Sequence, residues 1–170
     1  MNSSAMFVVK RSPQLAKPDA YREICAQLGG LFADERDGLA NSANMAALLY
    51  EVLPELNWCG FYFLRESELV LGPFQGKVAC VRIALGKGVC GSAANERRTI
   101  VVPDVHAFPG HIACDSASAS EIVVPLVRGD ELLGVLDLDS PVPGRFDQYD
   151  ADGLEQAVQL LLAGSDLSRL

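Results

Sequence analysis

Two groups of side chains in this sequence have types and spacings suited to chemistry: five cysteines and a set of acids near the C-terminal third. The thiols are Cys25, Cys59, Cys80, Cys90 and Cys114. Cys90 follows the turn Gly86–Lys87–Gly88 where a helical pattern begins, and a helix N-terminus lowers a thiol pKa. Cys114 stands three residues after His111 in a stretch without helical or strand periodicity. A neutral His111 can partner that thiol, whereas its neighbour Asp115 opposes a thiolate. Two loop-borne thiols in such an apolar and acidic setting can form a transient disulfide, and the spacing leaves open which sulfurs meet. No CxxC pair occurs, so the usual structural zinc spacings are absent. The plainer reading of any one free cysteine is a small buried hydrophobe.

The acids belong to two β runs, EIVVPLVRG and ELLGVLDLDS, separated only by Asp130. Alternation puts Asp137 and Asp139 on one face of the second strand, with Leu136 and Leu138 on the other. A hairpin turning at Gly129–Asp130 sets Glu121 opposite the Asp137–Asp139 end. Carboxylates gathered there repel one another, and a dry setting raises at least one pKa. A carboxylic acid kept neutral can donate a proton, while an ionised neighbour can receive an ammonium group. The bland counterpart is a solvated sheet edge whose charges only discourage aggregation. Trp58 and Tyr62 open an aromatic strand; packing is their default role, and the wall of a small pocket is the functional one. His106 and His111 read first as loop-ordering residues. Lys87 between glycines lacks the rest of a P-loop.

The elements that would carry these residues comprise four helical and about six strand segments. Residues 18–33 carry Tyr21, Ile24, Leu28 and Leu31 at helical spacing after Pro18, which assigns Cys25 to the core. Residues 40–53 repeat the pattern, with Asn41 or Ser42 as the expected cap. CGFYFL and LVLGPF read as a hairpin, 79–85 as a strand, Val89–Glu96 as a short helix, and Thr99–Val102 as a brief strand. Residues 103–120 read as a long loop, and loops longer than about 12–15 residues inside a domain are often functional. A C-terminal helix is marked by acids at its start and by Leu154, Val158 and Leu161. The expected fold is α+β: a mainly antiparallel sheet of about six strands, flanked by helices from both chain ends.

With 170 residues and 49% hydrophobic content, the chain suits one domain with a real core, and a disordered chain is disfavoured. A formal charge of −8 disfavours a nucleic-acid partner held by phosphate contacts. No apolar run has the length of a membrane span or of a signal peptide, so the expectation is a cytoplasmic protein with reduced thiols.

The segments NWCGFYFL, GPFQGKVAC, GKGVCGSAA, VPDVHAFPGHIACDSASASEIVVPL and GVLDLDSP, taken together, resemble the free methionine-(R)-sulfoxide reductases, which are built on the GAF fold. The likeness runs from about Leu39 to about Val158. It rests on the DVHAFPGHIACDS block and on intervals of ten and twenty-four residues between Cys80, Cys90 and Cys114. It implies a GAF domain, and with the N-terminal helical segment at about 18–54 and the C-terminal helix at about 148–163, both read from pattern and packed on the sheet, the expectation is one domain over 1–170.

By position, the resemblance implies Cys114 as catalytic thiol, Cys80 as main resolving thiol and Cys90 as a third thiol able to enter the relay. The redox-active disulfide is then Cys80–Cys114, with Cys90–Cys114 as alternate. Glu121, Asp137 and Asp139 match the acidic cluster around the substrate, and Trp58 and Tyr62 the aromatic wall. Cys59 stands where a small apolar residue is expected, and alternation turns it to the opposite face from Trp58.

The implied reaction is reduction of free methionine-R-sulfoxide. Asp139, with Glu121 close behind, protonates the sulfoxide oxygen as Cys114 attacks. The resulting sulfenic acid condenses with Cys80, and thioredoxin reopens the disulfide. That cycle needs no metal or organic cofactor, and the partners are the free sulfoxide, thioredoxin and a second copy in a homodimer through the terminal helices, with neither nucleic acid nor membrane. Two rival readings are a non-catalytic GAF small-molecule sensor and a metal site on Cys80, Cys90, Cys114 and His111.

Overall fold

The computed structural model describes residues 7–110 and 116–168. Its elements are α1 (Lys17–Leu31), α2 (Gly38–Val52), β1 (Trp58–Arg65), β2 (Glu68–Gly76), β3 (Arg82–Ala84), α3 (Gly88–Glu96), β4 (Ile100–Val102), β5 (Ser120–Arg128), β6 (Glu131–Ser140) and α4 (Gln148–Gly164), with one 3-10 turn at Val105–Ala107. The strands form one antiparallel sheet in the order β3-β2-β1-β6-β5-β4. The α+β class with helices from both chain ends is thus the architecture that forms.

Alternation along the strands splits the interior into two layers. Cys59, Phe61 and Phe63 of β1, Ile122, Val124 and Leu126 of β5, and Leu136 and Leu138 of β6 face α1, α2 and α4. Trp58, Tyr62, Val123 and Val135 face the other way, toward α3 and the segment at Val105. The long helices close the first face. Tyr21, Ile24 and Leu28 of α1 enter it at one-turn spacings, and α1 meets α4 at Gly153, where any added Cβ would lie 2.1 Å from the Tyr21 ring. Asp147 caps α4 in a reciprocal box with Asp150.

Three local expectations change. Asp37 caps α2, accepting from the Ala40 N–H at 2.8 Å. Asn41 instead reaches the Glu35 carbonyl and the Ser165 hydroxyl from inside the helix, and Ser42 bonds back to the Gly38 carbonyl. The strand expected over 79–85 shrinks to β3. The β1–β2 register shifts between Gly60 and Tyr62, and Pro73 offers no N–H, so the β2–β3 ladder spans only Glu68 to Val70. That shortening leaves Cys80 on the connection between β2 and β3, not on a strand. Cys25 lies half-buried at the rim of the helical core. Among the described residues no helix is long and apolar enough to cross a membrane.

Candidate active site

Register across β5, β6 and β1 builds the site. Glu121 pairs with Asp139, and Asp139 with Trp58; one row inward, Val123 pairs with Asp137, and Asp137 with Gly60. Directly paired residues share a face, so the three acids and Trp58 stand together on the side covered by α3. α3 brings Cys90 down onto them. The Cys90 sulfur and one carboxylate oxygen each from Glu121 and Asp137 lie within 4.8 Å of one another. All three residues are at most 6% exposed, which makes the cluster dry. Asp137 bonds through its side chain to both Glu121 and Cys90, yet its Oδ1 is buried without a hydrogen-bond partner.

Burial, first, and then the charges of Asp139 and Glu121 push the Asp137 carboxyl well above the usual carboxylate range. Glu121 is pushed up by burial and by Asp139. Their mutual hydrogen bond ties the two carboxyls into one buried pair that takes up and releases protons as a unit. Cys90 corrects the sequence-based expectation of an activated thiol. It does sit in the first turn of α3, but burial and the neighbouring Asp137 and Glu121 push its thiol well up. A helix terminus is worth about 0.3–1 kcal/mol at an exposed site, too little against desolvation beside acids.

The aromatic wall does more than line the site. Trp58 stacks on Phe74 with centroids 5.3 Å apart and on Tyr62 at 5.9 Å. Gly60 makes this possible: a Cβ there would lie 2.3 Å from Phe74 Cβ and 2.7 Å from the Trp58 ring. The polar ends of both aromatics hold the β2–β3 connection. Trp58 Nε1 donates to the Lys77 carbonyl at 3.1 Å, and the Tyr62 hydroxyl to the Cys80 carbonyl at 3.0 Å. Burial and the nearby acids push the Tyr62 hydroxyl far up, so it remains a donor.

Cys80 is disulfide-bonded, while Cys25, Cys59 and Cys90 are free. Cys59 packs in the helical core on the face opposite Trp58, as alternation requires. Cys114 and His111 lie outside the described residues. His106 stands exposed on the 3-10 turn, where its backbone N–H donates to Asp104. Asp139 is less buried than Asp137 and faces the same side. Sequence reasoning missed Phe74 and the spacing role of Gly60. The signal was a glycine between Trp58 and Tyr62 in an otherwise bulky strand, which marks a close approach of another group.

Comparison with known proteins adds to this geometry. A family model described as GAF domain matches residues 19–163. The chain is 52% identical over 145 residues to the free methionine-R-sulfoxide reductase of Escherichia coli K12, covering 85% of this chain and 88% of that protein. It is 51% identical over 158 residues to protein YtsP of Bacillus subtilis, covering 92% and 96%. The crystal structure of free methionine-R-sulfoxide reductase from Neisseria meningitidis in complex with its substrate superposes with a TM-score of 0.91 at 45% identity, over 96% of this chain and 98% of that one.

Proposed function

Since the chain belongs to the free methionine-R-sulfoxide reductases of the GAF-domain family, we propose that it reduces free L-methionine-(R)-S-oxide to L-methionine through a cysteine sulfenic acid and an intramolecular disulfide. The observation that carries this reading is the dry, hydrogen-bonded Glu121–Asp137 pair beside a stacked aromatic wall, where burial pushes both carboxyls well above the usual range. A sulfoxide oxygen leaves only when protonated, and a positioned acid contributes about 10²–10⁴-fold to such a step.

In this reading the Cys114 sulfur attacks the substrate sulfur while Asp137, hydrogen-bonded to Glu121, gives its proton to the oxygen. The hydroxyl moves from the substrate sulfur to the Cys114 sulfur as the transient sulfur–sulfur bond breaks, and methionine leaves. The Cys114 thiol proton returns to the carboxyl pair, and the enzyme holds a sulfenic acid. Cys80 then attacks that sulfur; water departs and the Cys80–Cys114 disulfide closes. Support for Cys80 as resolving thiol is its disulfide-bonded state and its place on a segment pinned by Trp58 and Tyr62. Asp139, more exposed than Asp137, receives the substrate ammonium. The protonated Cys90 thiol, free beside the acids, is the alternate resolving thiol. Thioredoxin, an external dithiol, restores both cysteines by exchange, which suits a reducing compartment such as the cytoplasm.

The test is an NADPH-coupled thioredoxin assay with free methionine-R-sulfoxide, its S epimer and a peptide-bound sulfoxide. The expected result is turnover of the free R form alone, abolished in Cys114→Ser. Binding of the sulfoxide without consumption of reductant would replace the reductase by a GAF sensor.

A further inference from the structure

We propose that Cys90, Glu121 and Asp137 form a binding site for one thiophilic divalent cation of the zinc class. Their donor atoms come from α3, β5 and β6 and lie within 4.8 Å of one another. Three packed elements hold them, so little ordering remains to be done on binding. A second observation points the same way: Asp137 Oδ1 is buried without a hydrogen-bond partner. A buried acceptor left unmet is destabilising, and a cation would satisfy it.

The donor set selects the ion. Zinc takes thiolate sulfur at about 2.3 Å and carboxylate oxygen at about 2.0–2.2 Å, which puts tetrahedral ligands about 3.5 Å apart. Side-chain rotation of an ångström or so closes the observed cluster to that size. Magnesium and calcium want six or more oxygens, and a thiolate disfavours both. Coordination exchanges the Cys90 S–H proton, and the proton shared by the two carboxyls, for the cation; no electron moves. Three protein ligands leave the fourth tetrahedral position open to water.

This site differs from one built on the relay thiols. Cys80 is disulfide-bonded while Cys90 is free, so the Cys90 site persists when Cys80 is oxidised. If the reductase reading holds, a cation here stands beside the place of the substrate ammonium and ties up Cys90, and zinc inhibits competitively with the sulfoxide.

The decisive experiment titrates cobalt(II) into the oxidised protein and follows thiolate-to-cobalt charge-transfer absorption. Expected is one equivalent bound with a thiolate band, displaced by zinc. The band disappears in Cys90→Ser and stays in Cys25→Ser. Affinity falls roughly tenfold or more in Asp137→Asn and in Glu121→Gln, as loss of a direct ligand should cost at least what an outer-shell partner does. Near-ultraviolet circular dichroism of the buried Trp58 checks that each variant is folded. Absence of the band, or its survival in folded Cys90→Ser, overturns the proposal. Sulfoxide turnover by metal-free reduced enzyme is measured separately. Cobalt binding without turnover removes only the reductase reading, and turnover without the band removes only the cation site.

Discussion

Both faces of the sheet bury carboxylates, and Asp150 on one and Asp137 on the other are treated in opposite ways. On the helical face Asp150 is fully buried and answered by Lys17, by Arg145 at 3.2 Å and by the Tyr21 hydroxyl at 2.9 Å. On the other face Asp137 is answered by Glu121 and the Cys90 thiol, and the charges acting on it are those of further acids. No lysine or arginine among the described residues forms an ion pair with Asp137. A buried acid given cations is a fastener between α1 and α4. A buried acid given acids must keep a proton, and a kept proton can be delivered. Burial alone therefore says little about a role; the sign of the neighbours decides it.

The sharpest break in this comparison is Asp137→Asn. The amide keeps the shape and loses the transferable proton, so single-turnover sulfenate formation should slow by about 10²–10⁴-fold. The fold should not suffer, because an amide has no charge to desolvate. A variant that forms sulfenate at full speed would move the acid to Glu121 or Asp139, and the same measurement on Glu121→Gln and Asp139→Asn would decide between them.

The mirror substitution is Asp150→Asn. It removes the buried anion shared by Lys17 and the nearly buried Arg145 guanidinium, leaving Lys17 with Asp147 and Arg145 with the more distant, exposed Glu55. Removing one partner of a buried ion pair costs about 3–5 kcal/mol, which chemical denaturation will read directly. Activity per folded molecule should be unchanged, since Asp150 lies on the other side of the sheet. Loss of activity in folded Asp150→Asn would show that the two faces are not separable.

A smaller effect is expected where the site face uses a polar group structurally. Tyr62→Phe deletes the hydroxyl that donates to the Cys80 carbonyl at 3.0 Å and leaves the ring stack in place. A net hydrogen bond is worth about 0.5–1.5 kcal/mol, so disulfide closure should slow by up to about tenfold. Sulfenate formation should be less affected. Rapid-quench thiol counting separates the steps; equal slowing of both would assign Tyr62 to the substrate and not to the Cys80 segment.

The difference between the faces was only partly legible in the sequence. Strand alternation and the Gly129–Asp130 turn pinned the β5–β6 register, so the opposition of Glu121 to Asp139 was readable. The opposite facing of Cys59 and Trp58 followed from the same period of two. What brings Cys90 onto Asp137 is the docking of α3 on a strand pair more than thirty residues later, and no local pattern encodes that distance. The direction of the Cys90 shift is hidden from the sequence for this reason: the helix terminus is local and visible, the dry acids are remote. In the sequence Asp37 competes as the α2 cap with two other capping residue types nearby, Asn41 and Ser42, and only the fold shows those two buried. The aromatic stack needed the β1–β2 register, which sets Phe74 across from Gly60.

The smallest effects are slopes of stability against pH, and their signs should differ between the faces. Asp137 has a raised pKa, so its folded form holds a proton the unfolded chain releases. Its contribution is fully present below the ordinary carboxylate range and is lost as pH rises toward the folded pKa. Asp147, at the start of α4, is the reverse case. Slight burial pulls it up, but the Lys17 ammonium and the N–H groups of Asp150 and Tyr149 outweigh that and hold it low. Its stabilisation is present above the ordinary carboxylate range and fades as pH falls through the lowered pKa. With its side chain 50% exposed, solvent screening leaves about a few tenths of a kcal/mol. Denaturation midpoints measured from acid to neutral pH should show Asp137→Asn gaining on the unsubstituted protein as pH rises. Asp147→Asn should lose slightly over the same range. Parallel curves for the two variants would mean that Asp137 is neutralised by a cation after all, and the contrast between the faces would collapse.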